Sequence, residues 1–300
     1  MKIKGIRTVK GRQTLRAYLF MAPALILVFL FVILPIIGSL PLMFFDYSVI
    51  GKTSFIGLEN FKNAFADKEF RVAMFNSILF VVVVPIIQIL SIILALLVNR
   101  KMYGMTLFRT LFYIPVVTSM VAVSIIWGFL FDPSGWINTI CIKLGIIQKP
   151  LGFLNDAKTA MLCIMFITIW QGIGYYMMLY LAGLQSVPKE LEEASYVDGA
   201  TGLQSLIKIK LPMLKPYIWF CSLNSIISAL GVFDVVYVLT QGGPNDATNV
   251  INYYSYVKAF KDFQFGYAAA ISGVQAAMTL VLSILVFVYG RKGGGMTYND

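Results

Sequence analysis

Apolar positions along this chain gather into long blocks, and polar positions are confined to the intervals between them. Six blocks are long: residues 17–37, 73–98, 111–131, 160–184, 217–239 and 268–289. A helix rises about 1.5 Å per residue, so ~20 apolar residues cross the ~30 Å hydrocarbon core of a bilayer. The pattern predicts an all-α polytopic membrane protein with six transmembrane helices. Pro115, near the start of the third block, kinks that helix and frees a carbonyl that neighbours must satisfy.

The intervals differ in kind. Residues 46–71 mix four acids with four bases and read as a loop with short amphipathic helices. Residues 132–158 open on the turn sequence Asp132-Pro133-Ser134-Gly135 and carry a short amphipathic piece. Residues 241–249 (QGGPNDATN) predict a tight polar turn, followed by an aromatic stretch from Tyr253 to Tyr267. No internal repeat is evident.

Composition agrees with a membrane location: 59% of the 300 residues are hydrophobic and only 13% charged, against about a quarter charged in a soluble domain. The net charge of +10 would suggest nucleic acid in a soluble protein. Here the bases flank the blocks. Fifteen Lys and Arg fall in the N-terminal segment, the 99–109 turn, the 188–216 interval and the tail, and nine fall in the other three intervals. That bias places those four segments, and so both termini, on the cytoplasmic side of a cell membrane. The expected partner of the bases is the lipid bilayer, not nucleic acid. The chain then divides into a cytoplasmic segment 1–16, a six-span domain 17–290 and a cytoplasmic tail 291–300. A basic start before an apolar run resembles a secretory signal, but the run is too long and no A-x-A-like site follows.

Several chemistries drop out. The chain has no His, which removes His-ligated metals and His-based catalysis. Cys141, Cys163 and Cys221 lie far apart with no C-x-x-C, and suit small packing residues. Neither HExxH nor GxSxG occurs, so an enzyme is not expected. The only GKT, Gly51–Thr53, lacks the upstream glycine of a phosphate-binding loop.

One interval differs from the rest. Pro188–Pro216 carries eight charged residues in two short helical patterns. Pro188 suits the start of a helix, and Glu190, Glu192 and Glu193 suit its dipole. Gly199 provides a left-handed stop. Thr201 can cap a second helix, Leu203, Leu206 and Ile207 share one face of it, and Pro212 is expected to end it. Two helices about a glycine bend make either a knob for a partner protein or an amphipathic loop lying on headgroups. The clustered acids favour the knob.

The residues here resemble a known family. Glu193-Ala194-Ser195, then Asp198-Gly199-Ala200, then Ile209-Lys210-Leu211-Pro212 are similar to the signature loop of ABC importer permeases: EAA, three residues, G, nine residues, I-x-L-P. Ser195 replaces the usual second alanine. A second segment, Phe233-Asp234, Leu239 to Pro244 and Thr248, resembles sugar permeases of the maltose, glycerol-phosphate and multiple-sugar type, as do GLENF (Gly57–Phe61) and FDPSGWIN (Phe131–Asn138). The resemblance implies a type I ABC importer permease fold. In that family the loop is a coupling helix that docks on a cytoplasmic ATPase. It also implies a second permease subunit, two ATP-binding subunits that use ATP and Mg, and an extracellular or periplasmic sugar-binding protein. No cofactor is implied for this chain.

Polar residues inside spans are costly and normally face a cavity or a partner helix. Span four has Gln171, Gly172 and Tyr175; span five has Asn224, Ser225, Ser228 and Asp234; span three has Thr118 and Ser119. Asn224, Ser228 and Gly231 fall on one helical stripe. Aromatic faces with amides and hydroxyls suit a sugar, whereas small polar residues also serve close helix packing. By resemblance, maltose-type permeases place substrate contacts in these three spans. Asp234, the one acid deep in a block, suits a gate, a helix cap or a salt bridge as well as a ligand contact. The rival readings are an ion-coupled secondary carrier, which needs intramembrane charges, and an importer of a non-sugar solute.

Overall fold

The computed structural model describes residues 9–47, 53–99 and 103–292. The expectations for residues 1–8, Gly51, Lys52, Arg100, Lys101 and the tail beyond Lys292 fall outside those residues.

Among the described residues, six stretches are long and apolar enough to cross a membrane. Span one, Arg16–Leu42, is apolar all round, and none of its most apolar stretch is buried. Its ladder slips to a five-residue hydrogen bond at Phe29–Ile33, just before Pro35, which has no N–H to give. Span two runs Lys68–Val98 with a tight step at Val81 and Val82, span four Ala160–Gln185, and span six Phe265–Gly290. Spans two and four form the centre of the bundle, joined there by span five. Tyr180, Met177, Ile164 and Phe80, all fully buried, lie in this centre.

Two expectations of continuous helix are corrected. Span three is two helices, Met105–Val117 and Met120–Phe131, separated by extended backbone at Thr118 and Ser119 (ψ 138° and 132°). Both pieces track span four in one direction: Phe112 lies against Gly174, and Trp127 against Trp170 and Phe166. The crossing therefore covers 105–131. The apolar stretch Met120–Lys143 turns away at Asp132 to Gly135 before the amphipathic helix Trp136–Lys143. Span five likewise stops at Leu230, turns through Gly231, Val232 and Phe233, and restarts as Asp234–Leu239. Pro115 lies inside the first of these helices, two residues before its end at Val117, so the break at Thr118 and Ser119 follows the proline rather than falling on it.

The polar turn at 241–249 is present and is held by span two. Asn76 Nδ2 donates to Asp246 O at 2.8 Å and Asn249 O at 2.9 Å, and Ser77 Oγ accepts from Ile251 N at 2.9 Å. The aromatic stretch is a helix, Ile251–Phe260, with Tyr253, Tyr256 and Phe260 along one side. A helix Glu59–Ala66 and a two-stranded hairpin, Phe45–Asp46 antiparallel to Ser54–Phe55, complete this end. Asp67 ties it together. Burial would raise its pKa, but the Tyr254 and Tyr267 hydroxyls and the Glu69 and Phe70 N–H groups outweigh burial and lower it.

Candidate functional site

Two features of the fold could carry function: a cavity inside the bundle and the folded loop at one end of it.

The cavity measures about 290 Å³ and lies between spans two, three, four and five. Gln171, Gly172, Tyr175, Asn224, Ser225 and Ser228 all line it, although they come from two spans some fifty residues apart. Span four delivers its residues because Gly172 and Gly174 let neighbours approach. A Cβ on Gly174 would sit 2.0 Å from Phe112 O, and one on Gly172 would sit 2.9 Å from Ile87 Cδ1. Val83, Val84, Ile87 and Val116 supply the apolar wall. None of the lining residues is Asp, Glu, Lys or Arg. The surface therefore offers aromatic faces, amides and hydroxyls, which is the recognition chemistry of a neutral, polyhydroxylated solute rather than of an ion.

The polar groups are not equally available. Ser225 is buried, and Gln88 Nε2 donates to its Oγ at 2.8 Å and to Cys221 O at 3.2 Å. Tyr180 donates to Gln88 Oε1 at 2.6 Å. That network joins spans two, four and five beneath the cavity. Ser225 thus packs helices and also borders the cavity. Ser228 is exposed to the cavity. Asn224 Oδ1 accepts from Tyr176 at 3.3 Å. Gln171 lines the cavity and donates to Thr118 O at 2.9 Å, the carbonyl released by the break in span three.

Three candidates lie elsewhere. Thr118 and Ser119 form the break itself, and the Thr118 hydroxyl donates to Ile114 O at 3.0 Å. Asp234 is exposed at the first turn of Asp234–Leu239, where a helix dipole favours an acid. Gly231 leaves the stripe expected of it, because the helix has already ended at Leu230.

Sequence reasoning overlooked Gln88, Tyr180 and Gln275. Gln88 had a readable signal, as a lone amide in an apolar run. What it bonds to lies 137 residues away, and no local pattern reveals that.

The loop is a folded unit. Lys189–Val197 is a helix closed by Gly199 at φ +80°, with Ala200 N–H donating to Ser195 O and Gly199 N–H to Tyr196 O. This is the left-handed closing motif expected of the glycine. Thr201 caps the second helix reciprocally with Gln204. Pro212 does not end that helix. A five-residue ladder at Leu206–Lys210 passes over the missing N–H, and the helix continues through Met213. Glu192 and Lys210 clamp the two helices together at 2.6 Å. Ser195 is buried at their contact, where its hydroxyl donates to Glu192 O at 2.7 Å and lies 3.1 Å from Ser205 Oγ. Its hydroxyl binds the knob internally.

Glu193, Ala194, Asp198, Gly199 and Pro212 are exposed, and Ala200, Ile209 and Leu211 are half-buried. Of the three apolar residues expected on one face, Leu206 turns inward, while Leu203 and Ile207 remain exposed, as is Val197 at 87%. A further base, Arg109, donates to Val98 O at 2.7 Å and so closes the C-terminal end of span two.

The chain is similar to known permeases along nearly its whole length. The lactose transport system permease protein LacF of Rhizobium radiobacter is 35% identical over 290 residues, covering 95% of this chain and 97% of that protein. The trehalose/maltose transport system permease protein MalF of Thermococcus litoralis is 31% identical, over 94% and 96% of the two chains. A chain in the crystal structure of a bacterial ABC transporter that imports the acidic polysaccharide alginate shares the fold, with a TM-score of 0.83, 24% identity and coverage of 94% and 96%. The family model described as binding-protein-dependent transport system inner membrane component matches residues 71–291, the breaks, the cavity and the loop included, and the chain belongs to that family.

Proposed function

We propose that this chain is the permease subunit of an ATP-driven carbohydrate importer. The observation that carries the reading is the cavity. It is lined by Gln171, Tyr175, Asn224 and Ser228 without a formal charge, inside a bundle whose end bears a stiff two-helix loop with the EAA spacing. The relatives named for lactose and for trehalose and maltose support a sugar as the solute. An ion-coupled carrier would need a charge at the solute, and Asp234 lies off the cavity.

A second permease subunit completes the path, and two ATP-binding subunits use ATP and Mg. An extracellular or periplasmic binding protein delivers the sugar. The loop 188–216 docks on an ATPase through Glu193, Gly199 and the exposed Val197, Leu203 and Ile207. Residues 1–16 and 291–300 are cytoplasmic segments flanking the six-span domain. No cofactor is held by this chain.

Reconstituting the complex in vesicles tests the reading. Uptake is expected only with ATP and the binding protein present, and Tyr175→Ala or Asn224→Ala should lower transport efficiency about tenfold without lowering basal ATP hydrolysis. Uptake by this chain alone, without ATP, overturns it.

A further inference from the structure

Each break leaves a backbone carbonyl without the N–H that a continuing helix would have brought. In span five the carbonyl is that of Leu230. A continuing helix would present the Asp234 N–H to it, but the chain turns away with Phe233 at φ −148°. Its donor comes from span six instead: Gln275 Nε2 reaches Leu230 O at 2.8 Å, in a buried contact. Gln275 is itself buried, and it does not line the cavity. The arrangement repeats that at span three, where Gln171 of span four meets Thr118 O. Two broken helices are each held by one glutamine amide from a neighbour.

We infer that Gln275 is a positioning residue for transport. Its amide fixes the end of the helix Lys215–Leu230, whose last turns place Ser228 and Ala229 in the cavity wall. It thereby also sets where the restarted helix Asp234–Leu239 meets Met120–Phe131, with Leu239 Cδ2 placed 3.1 Å from where a Cβ on Gly128 would lie. An unpaired buried carbonyl is expensive, and Gln275 removes that cost in one geometry of the break only. Span six can serve as the support because it runs past span five from this break to Gly290, which abuts Trp219.

The inference rests on the proposed transport function, and the test separates the two. The reconstituted complex is assayed for sugar transported per ATP hydrolysed, with the unaltered chain alongside at every pH. In Gln275→Glu the clasp exists only while the carboxyl is protonated, because an ionised carboxylate has nothing to donate to a carbonyl. Relative to the unaltered complex, this variant should be near normal at about pH 6 and fall by about tenfold by about pH 9. Gln275→Met keeps the volume and loses the donor, so it should be about tenfold low at every pH. A unit that merely fills space would leave Gln275→Met normal and the Gln275→Glu profile parallel to that of the unaltered complex, and either result overturns the role. If Gln275→Glu does not assemble, the Gln275→Met ratio decides. Failure of the unaltered complex to transport overturns the functional reading instead.

Discussion

Gly199→Asp is expected to abolish binding-protein-stimulated ATP hydrolysis and uptake while leaving the spans inserted. Two effects act together. Gly199 has φ +80°, where an L-residue costs about 1–2 kcal/mol, and it closes the first loop helix through the Ala200 and Gly199 N–H bonds. Among the described residues, nothing beyond its two chain neighbours lies within 4 Å of a Cβ there. The new side chain therefore projects from the exposed face of the knob, where it adds a second carboxylate beside Asp198. A charge placed in a docking surface without a partner disfavours the complex more strongly than the backbone strain does.

Gly199→Asn separates the contributions, because Asn tolerates the left-handed region and carries no charge. It should retain a substantial share of the activity. Stimulated hydrolysis, measured in the purified complex, should fall to background for the Asp variant alone, while membrane insertion of both matches the unaltered chain. Normal stimulation in Gly199→Asp would remove the loop from the coupling role.

The loop was readable in advance because its devices are local. A proline start, a glycine stop and a threonine cap each act within a few residues, and all three occur where the spacing places them. The one misreading, at Pro212, has a physical cause: a helix can pass a missing N–H by widening one turn, as it also does before Pro35. The six apolar blocks were readable for the same reason, since length and hydropathy alone define them.

The breaks and their clasps were not readable. Pro115 announces a kink, but its size depends on whether another helix can supply a donor, and Gln171 lies 53 residues from Thr118. Nothing near Gly231 announces the second break so clearly. Its support, Gln275, is 45 residues away and looks like any polar residue in a span. The cavity residues were half readable. Polarity within a span selected the six that line the cavity, yet it also selected Thr118, Ser119 and Asp234, which only the course of the backbone excludes.

Gly174→Val should disable the protein in a different way. Span three crosses span four where the Gly174 position has no side chain, so closely that a Cβ would lie 2.0 Å from Phe112 O, 2.8 Å from Phe112 C and 3.1 Å from Val116 Cγ2. Two of these atoms belong to helix backbone, so no rotamer change relieves the overlap. The helix Met105–Val117 must move as a body. Overpacking typically costs about 1–3 kcal/mol where side chains can yield, and a backbone obstacle puts this substitution at the top of that range or above it. The displacement also reaches the site, because Val116 lines the cavity and the Gln171 clasp on Thr118 is one turn away. The yield of assembled complex should drop severely, and whatever assembles should have lost sugar uptake. Gly38→Ala in span one, with none of the described residues beyond its own helix within 4 Å of the added Cβ, should stay within about 0.5 kcal/mol of the unaltered chain. Thermal stability of the detergent-solubilised complex compares the two. Equal midpoints would mean that the contact between spans three and four is looser than the structure has it, and that the cavity wall at Val116 is free to move.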